Sequence, residues 1–356
     1  MSLRILSGSD QVEGYLRQGL QAGRWRGDMP GRNKLAAEIG VSGRLVEAAL
    51  AKLEREGLLA GQGPRRRRRV VKGLVHNARK AGMRIAFLAN ERVDLRIDYL
   101  TDLQHRLEEA GHVPVIAGKS MVELGMDLAR IVPEVGKAGA DAFLVIGGSL
   151  EVLEWFAGGK KPVFAMFGRR RGLAIAGAGP DKSPAYAQAV GELAGLGHRR
   201  IVLLTRTPRR IPEPGLVERA FLAALAAHGI PSGAYNLPDW EENAVSFHAR
   251  LDALFRVTPP TALILDEVPF FMAALHFCAS RGIRVPDDVS LVCTDPDPAF
   301  DWFVPSVAHI RWEATPLVRR ALRWADNISR GKDDRRQTET KAEFIAGGTV
   351  GRAIAM

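Results

Sequence analysis

Along the first sixty residues, apolar positions return every three or four places. Val12, Tyr15, Leu16 and Leu20 form one such stripe, the period of a helix with one buried face. Pro30 marks a turn, and Leu35, Ala36 and Ile39 predict a second helix over Lys34 to Ile39. Gly40 and Ser42 suit a helix C-cap and the next N-cap. Val46, Ala49, Leu50 and Leu53 then mark a third helix, from about Gly43 to Glu56. "GLLAGQGPRRRRRVV" follows and reads as a hairpin. Leu58 and Leu59 lead out, Gly61 and Gly63 give backbone freedom at the turn, and Val70 and Val71 return.

"KGLVHNARKAG", residues 72–82, has no periodicity and reads as a connector. From Met83 onward, short apolar runs alternate with amphipathic stretches. "MRIAFLAN", "VPVIAG", "DAFLVIGG" and "KPVFAMFG" predict strands. "DYLTDLQHRLEEAGH" predicts a helix, and "VELGMDLARIVPEVGKAG" is expected to be largely helical. The alternation restarts with "SPAYAQAVGELAGLG", "HRRIVLLT", "GLVERAFLAALAAHG", "ALILDE", "PFFMAALHFCASRG" and "VSLVCTD". Strand and helix in turn predict parallel sheets with helices on both faces, here as two α/β halves. Ligands in such sheets bind beyond the carboxyl ends of the strands. The polar residues expected there are Asn90, Glu91, Arg169 to Arg171, Asp266, Glu267 and Asp295.

Charge separates the two regions. Residues 1–82 hold 17 Lys+Arg against 7 Asp+Glu, and the other 274 residues hold 33 of each. The whole net charge of +10 therefore sits in the first quarter, which points to a polyanionic partner for that part. Two cysteines are too few for a disulfide framework. Scattered histidines argue against a zinc site, and no apolar run is long enough to span a membrane. The first residues lack the unbroken apolar core of a secretion signal, so a cytoplasmic location is expected.

"MPGRNKLAAEIGVSGRLVEAALAKLEREGLLAGQG" resembles the winged helix of the GntR family. Pro30, Leu35, Ala36, Gly40, Val41, Ser42, Val46, Ala49, Leu50, Leu53, Glu56, Gly57, Leu58, Gly61 and Gly63 carry the likeness. It implies a winged helix-turn-helix over residues 1–71 that binds a double-stranded DNA operator. The third helix would enter the major groove, and Arg65, Arg66 and Arg67 at the wing tip would lie along phosphates. The chain departs from the family pattern where the family touches DNA. Asn33, Gly43 and Glu47 stand in place of arginines and Leu45 in place of a threonine. Arg32 and Arg44, each one residue out of register, are expected to substitute, beside Ser42. Leu45 would meet a thymine methyl, and Glu47 would accept from a cytosine amine.

"LGHRRIVLLT", "ERAFLAALAAHGI", "PPTALILDE" and "SRGIRVPDDVSLVCTDPDP" resemble the sugar-sensing core of the LacI family, itself similar to periplasmic binding proteins. The resemblance runs from about Met83 to Gly351. It implies an effector domain over 83–356 with discontinuous lobes, the chain crossing near Asp181, Ile310 and Lys341. By the same likeness, Arg219, Asp266 and Asp295 bind effector hydroxyls, an arginine and an aspartate together suiting such recognition. Phe271, Phe167 and Trp240 are either stacking partners or core residues, with core packing weighted most for Phe167.

The expected fold class is thus α/β: a winged helix-turn-helix followed by a two-lobed periplasmic-binding-protein-like domain. The expected function is a ligand-responsive DNA-binding regulator, a repressor, acting as a homodimer and sensing a sugar or small saccharide. A purine or another small polar metabolite is the alternative effector. The helices over 98–112 and 314–331 are candidate dimer elements. No cofactor is expected. An enzyme with a nucleotide fold has weak support, since "GAGPDKS" offers only G-x-G and no phosphate loop or nucleophile elbow occurs. An exported solute-binding protein would share the core but lacks a use for the basic N-terminal module.

Overall fold

The computed structural model describes residues 8–21, 24–25, 27–61, 63, 67–71 and 82–354. Residues 72–81 of the connector expected at 72–82, and Arg65 and Arg66, lie outside them. The chain divides into two compact units, Met1–Gly82 and Met83–Met356.

The first unit holds α1 (Gly8–Gln21), α2 (Arg32–Ile39) and α3 (Gly43–Arg55), then β1 (Leu59–Ala60) and β2 (Arg69–Val70). Val12, Leu16, Leu20, Leu35, Val46, Leu50 and Leu53 meet in one core, closed by Trp25, Met29, Leu59 and Val70. Tyr15, expected on the buried stripe, is instead exposed and accepts from Arg24. Gly40 ends α2 in the left-handed region at φ 75°, where a side chain would be strained. Ser42 stands at the N-cap position of α3 without a capping side-chain bond. The strands pair antiparallel, Leu59 opposite Val70 and Ala60 opposite Arg69.

The second unit alternates strand and helix. In order it holds β3 (Arg84–Leu88), α4 (Asp98–Glu109), β4 (Val113–Ile116), α5 (Leu128–Lys137), β5 (Ala142–Ile146), α6 (Leu150–Ala157), β6 (Val163–Met166) and β7 (Ala176–Asp181). There follow α7 (Ser183–Gly195), β8 (Ile201–Leu204), α8 (Leu216–Ala227), α9 (Ala244–Val257), β9 (Ala262–Leu265), α10 (Val268–Ser280) and β10 (Ser290–Cys293). β11 (Ala308–Trp312), α11 (Thr315–Ser329) and β12 (Gln337–Ile345) complete it. The strand order is β4-β3-β5-β6-β7-β12-β11-β10-β9-β8. Most of these strands are buried on both faces, as apolar runs without alternation require in a parallel sheet.

Two lobes share this sheet through β12. Residues Gln337 to Lys341 run parallel to β7, and Ala342 to Ile345 run antiparallel to β11. The first lobe's core gathers Phe87, Phe164 and Trp324. The second gathers Phe221 and Tyr186 on one face of its sheet and Phe271 and Phe277 on the other.

One expectation is corrected here. The helix expected from Val122 begins only at Leu128, capped by the Asp127 side chain, because Gly125 and Met126 take positive φ. "AGAGPD", which includes the weak G-x-G stretch, is the strand β7. Its glycines leave room for Arg170: a Cβ on Gly177 would lie 2.7 Å from Arg170 Cδ, and one on Gly179 would lie 3.0 Å from Arg170 Nη1. The G-x-G pattern thus accommodates a buried guanidinium rather than a dinucleotide. The candidate dimer helices α4 and α11 pack on each other inside the first lobe through one face each. They bury Leu100, Leu103 and Leu107 against Leu317, Ala321 and Trp324, so these apolar faces are already covered.

Candidate functional site

The carboxyl ends of β3, β5 and β6 in the first lobe and of β8, β9 and β10 in the second open into one cleft. Polar residues follow five of these strands closely: Asn90–Glu91, Arg169, Thr205–Arg206, Asp266–Glu267 and Thr294–Asp295. Two residues here, Phe167 and Glu267, hold φ of 62° without being glycine. Such a conformation is costly and persists where the surroundings enforce it, commonly at functional sites.

Arg206 is the centre of the charge network. Its Nε and Nη2 donate to Glu267 Oε1 and Oε2 at 2.9 and 2.7 Å. Its Nη1 lies 3.1 Å from Glu242 Oε2 and 2.7 Å from Glu91 Oε1. Glu91 follows β3, so this guanidinium ties the second lobe to the first. Arg169 makes the reverse tie, donating to the carbonyls of Ile211 and Glu213 at 2.5 and 2.8 Å. Deeper in the second lobe, Asp266 is fully buried. It accepts from Arg209 Nη1 at 2.6 Å, from Thr205 at 3.1 Å and from Thr294 at 3.2 Å, and Arg209 also meets Glu218. Asp295 accepts from Lys182 at 2.6 Å and from Trp312 Nε1 at 2.8 Å. Beside it Tyr99, Phe167 and Trp312 pack edge to face at 5.4 to 6.4 Å between centroids.

Carboxylates outnumber cations here, and their ionisation follows. Burial, with Asp266 and Asp295 nearby, pushes the Glu267 carboxyl up to about 7 against the pull of Arg206. Burial likewise raises Glu242 and Asp94. Burial would raise Asp266 too, but Arg209, Lys182 and Arg206 hold it below the usual carboxylate range. Burial and the neighbouring carboxylates raise the Tyr99 phenol. This arrangement offers acceptors, donors and an aromatic wall to a polar, hydroxyl-bearing molecule. Among the described residues, no group of His, Cys, Asp or Glu is placed to hold a metal ion. A surface cavity of about 290 Å³, lined in part by Lys160, Val163, Ala176 and Lys332, lies at the opposite ends of β6 and β7, outside this cleft.

The structure brings Glu91, Phe167, Arg169, Asp266 and Asp295 to the cleft. It does not bring Arg219 to either aspartate. Arg219 is half exposed and donates to the Pro214 carbonyl, with Glu213 beside it; Arg209 takes the aspartate instead. The weighting of the aromatics reverses. Trp240 and Phe271 are core residues, Trp240 donating to the Thr205 carbonyl and Phe271 packing on Phe300. Phe167, weighted as core, is half-buried at the cleft. Arg206 was missed although it directly follows an apolar strand, the rule that found Glu91. Lys182 and Trp312 stand where the chain passes between lobes, and only the topology reveals them.

In the first unit, Arg32, Asn33, Ser42 and Arg44 are exposed around the start of α3, with Gly43 against the Arg32 side chain. Leu45 is half-buried against the core and Gly8, so it is not a fully free apolar contact. Gly63 takes φ 106° and Arg67 is exposed. Gly61 has no positive φ, and a Cβ there would lie 2.3 Å from Glu54 Oε1, the far end of a side chain that can turn aside. Glu54 and Glu47 both accept from Arg68, at 2.8 and 2.7 Å. An early turn of α3 and its last turn are thereby both tied to Arg68, beside the returning strand.

Residues 190–350 match the periplasmic binding protein-like domain family. The chain is 24% identical over 145 residues to the HTH-type transcriptional regulator AscG of Escherichia coli K12, covering 40% of this chain and 42% of that protein. A LacI family transcriptional regulator from Enterococcus faecium, solved with bound ribose, is similar in structure (TM-score 0.61, 14% identity), covering 76% of this chain and all of that one. The lac repressor dimer bound to operator and an anti-inducer is similar too (TM-score 0.58, 16% identity), over 76% of this chain and 95% of that one. With the shared β12 and the cleft between strand ends, these likenesses identify the architecture of the α/β unit as the two-lobed, periplasmic-binding-protein-like fold.

Proposed function

We propose that this chain is a ligand-responsive transcriptional repressor of the LacI sensor type, acting in the cytoplasm with a GntR-type winged helix as its DNA-binding module. One observation carries the reading. All the excess positive charge lies in a three-helix unit with a hairpin, and the unit joined to it is an electrically balanced two-lobed binder. Positive charge on such a unit binds phosphates, and a cleft between lobes binds a small molecule. The effector is a saccharide, a reading supported by the cleft's acceptors, donors and aromatic wall and by the ribose in the similar regulator. Its effect on DNA comes from unequal affinity for two lobe arrangements. A homodimer aligns two winged helices with two half-sites. Its contact is supported by the exposed Trp302, Val304 and Met272 of the second lobe. Repression follows because a bound dimer need only block polymerase.

Two measurements test this. Retention of a duplex should weaken about a thousandfold or more between about 50 and 200 mM salt if six or more phosphates are contacted. A chain that ignores duplex DNA in dilute buffer would sink the reading. In a thermal-shift panel, one saccharide should raise the melting temperature of the sensor unit by mass action, and more so at higher concentration. If only purines do so, the effector class is wrong while the regulator survives.

A further inference from the structure

Glu47 is the oddest residue on the face of α3 that would meet DNA, because a carboxylate there faces phosphates. Its side chain is 43% exposed and held by Arg68, which reaches Oε1 at 2.7 Å through Nη2. Arg68 is itself fixed from behind by Glu54 through Nε at 2.8 Å, and the missing side chain of Gly61 makes room for Glu54. Arg68 is only 21% exposed, and its best-placed donors are already engaged. It is therefore poorly placed to lie on a phosphate, unlike the exposed Arg67. The hydrogen bond from Arg68 holds the Glu47 carboxyl below its usual range, so it is an acceptor and never a donor.

We propose, on the reading that this unit binds DNA, that Glu47 selects a cytosine in the major groove and that Arg68 is the positioning residue that aims it. The base chemistry leaves few alternatives. Guanine shows N7 and O6 there and thymine shows O4, all acceptors that repel a carboxylate. Adenine shows one donor, N6, beside the acceptor N7. Cytosine shows the N4 amine with no adjacent acceptor, so a carboxylate held in a fixed orientation favours it. Arg68 offsets the repulsion between Glu47 and the phosphates that would otherwise exclude an acidic side chain from the groove. The strut from Gly61 through Glu54 and Arg68 to Glu47 links the wing to base choice, not only to affinity.

The test is selection from a pool of random duplexes with the full chain, comparing wild type, Glu47→Gln, Arg68→Ala and Arg67→Ala, each checked for unchanged helix content. Wild type should enrich a half-site in which replacing one C·G pair weakens binding about tenfold. Glu47→Gln should shift that position alone toward adenine, which glutamine pairs through N6 and N7. Arg68→Ala should lose the choice at the same position while keeping the salt dependence of wild type. Arg67→Ala should weaken binding to every duplex and reduce the salt slope by about one. If wild type enriches a site and Glu47→Gln enriches the same one, the assignment falls and the DNA-binding reading stands. The assignment falls equally if Arg68→Ala behaves like Arg67→Ala. If wild type enriches nothing, both fall.

Discussion

Replacing Asp266 with alanine should destabilise the sensor unit by about 3 kcal/mol, the lower end of what removing one partner of a buried ion pair costs. Asp266 is wholly buried and accepts from Arg209, Thr205 and Thr294. Alanine would leave those donors facing a void and Arg209 short of one counter-charge. Glu218, 3.0 Å from Arg209 Nε, still neutralises part of it, which keeps the cost from the upper end. Asp266→Asn should cost less, because the amide oxygen can still accept from a threonine. Calorimetry of the full chain would read the effect as a fall of about 6–12 °C in the sensor transition. Equal losses for alanine and asparagine would mean that packing, not the polar network, sets the stability here.

The second large effect is expected at Arg206. Arg206→Gln removes the one cation shared by Glu91, Glu242 and Glu267 and leaves carboxylates from both lobes facing each other. The two lobes should lose this tie, and, on the proposed reading, affinity for the effector should fall about 30-fold or more near pH 8, as expected when one partner of a buried charged hydrogen bond is truncated. The defect should shrink as pH falls. Glu267 has its pKa raised to about 7 against about 4.3 in an unfolded chain. Between these values the folded form binds the extra proton, so the carboxyl's contribution to stability is present at low pH and lost as pH rises through 7. Glu242 and Asp94 are shifted the same way. In Arg206→Gln, protonation below about pH 6 removes the repulsion. Small-angle scattering at pH 5.5 and 8 should therefore show the variant compact and then expanded, with wild type changing less. A variant expanded at both values, or at neither, contradicts the role given to Arg206.

Much of the architecture was legible because the code for it is local. The "ALIL" of "ALILDE" and the "IVLL" of "HRRIVLLT" are apolar at every position and become strands covered on both faces. The Val46–Leu53 stripe has one apolar side and becomes the buried side of α3. Periodicity fails where a strand is chosen for what lies over it. The glycines of β7 lie under the Arg170 side chain, and Gly177 also lies against the Ala165 carbonyl; nothing local in "AGAGPD" announces that. The site was legible in part for the same reason. Residues directly after apolar runs, such as Glu91, Asp266 and Asp295, can be read from the strand-end rule. Which arginine reaches Asp266 cannot. Arg209 and Arg219 lie ten residues apart on one loop and helix, and only the fold of "TPRRIPEPG" decides between them. Glu47 is a third case. Its type is odd for its place, and the sequence does not say that Arg68, 21 positions later, answers it.

The strand β12 has a consequence for how the sensor is made. Each lobe's sheet is incomplete until residues from near the C-terminus arrive: Gln337 to Lys341 to extend the first sheet beyond β7, Ala342 to Ile345 to flank β11 in the second. On the ribosome, neither lobe can finish folding while its own helices emerge, and both are completed by one late segment. Loss of Gln337 to Ile345 should therefore unseat the two lobes together, and the α/β unit should melt as one cooperative block, not lobe by lobe.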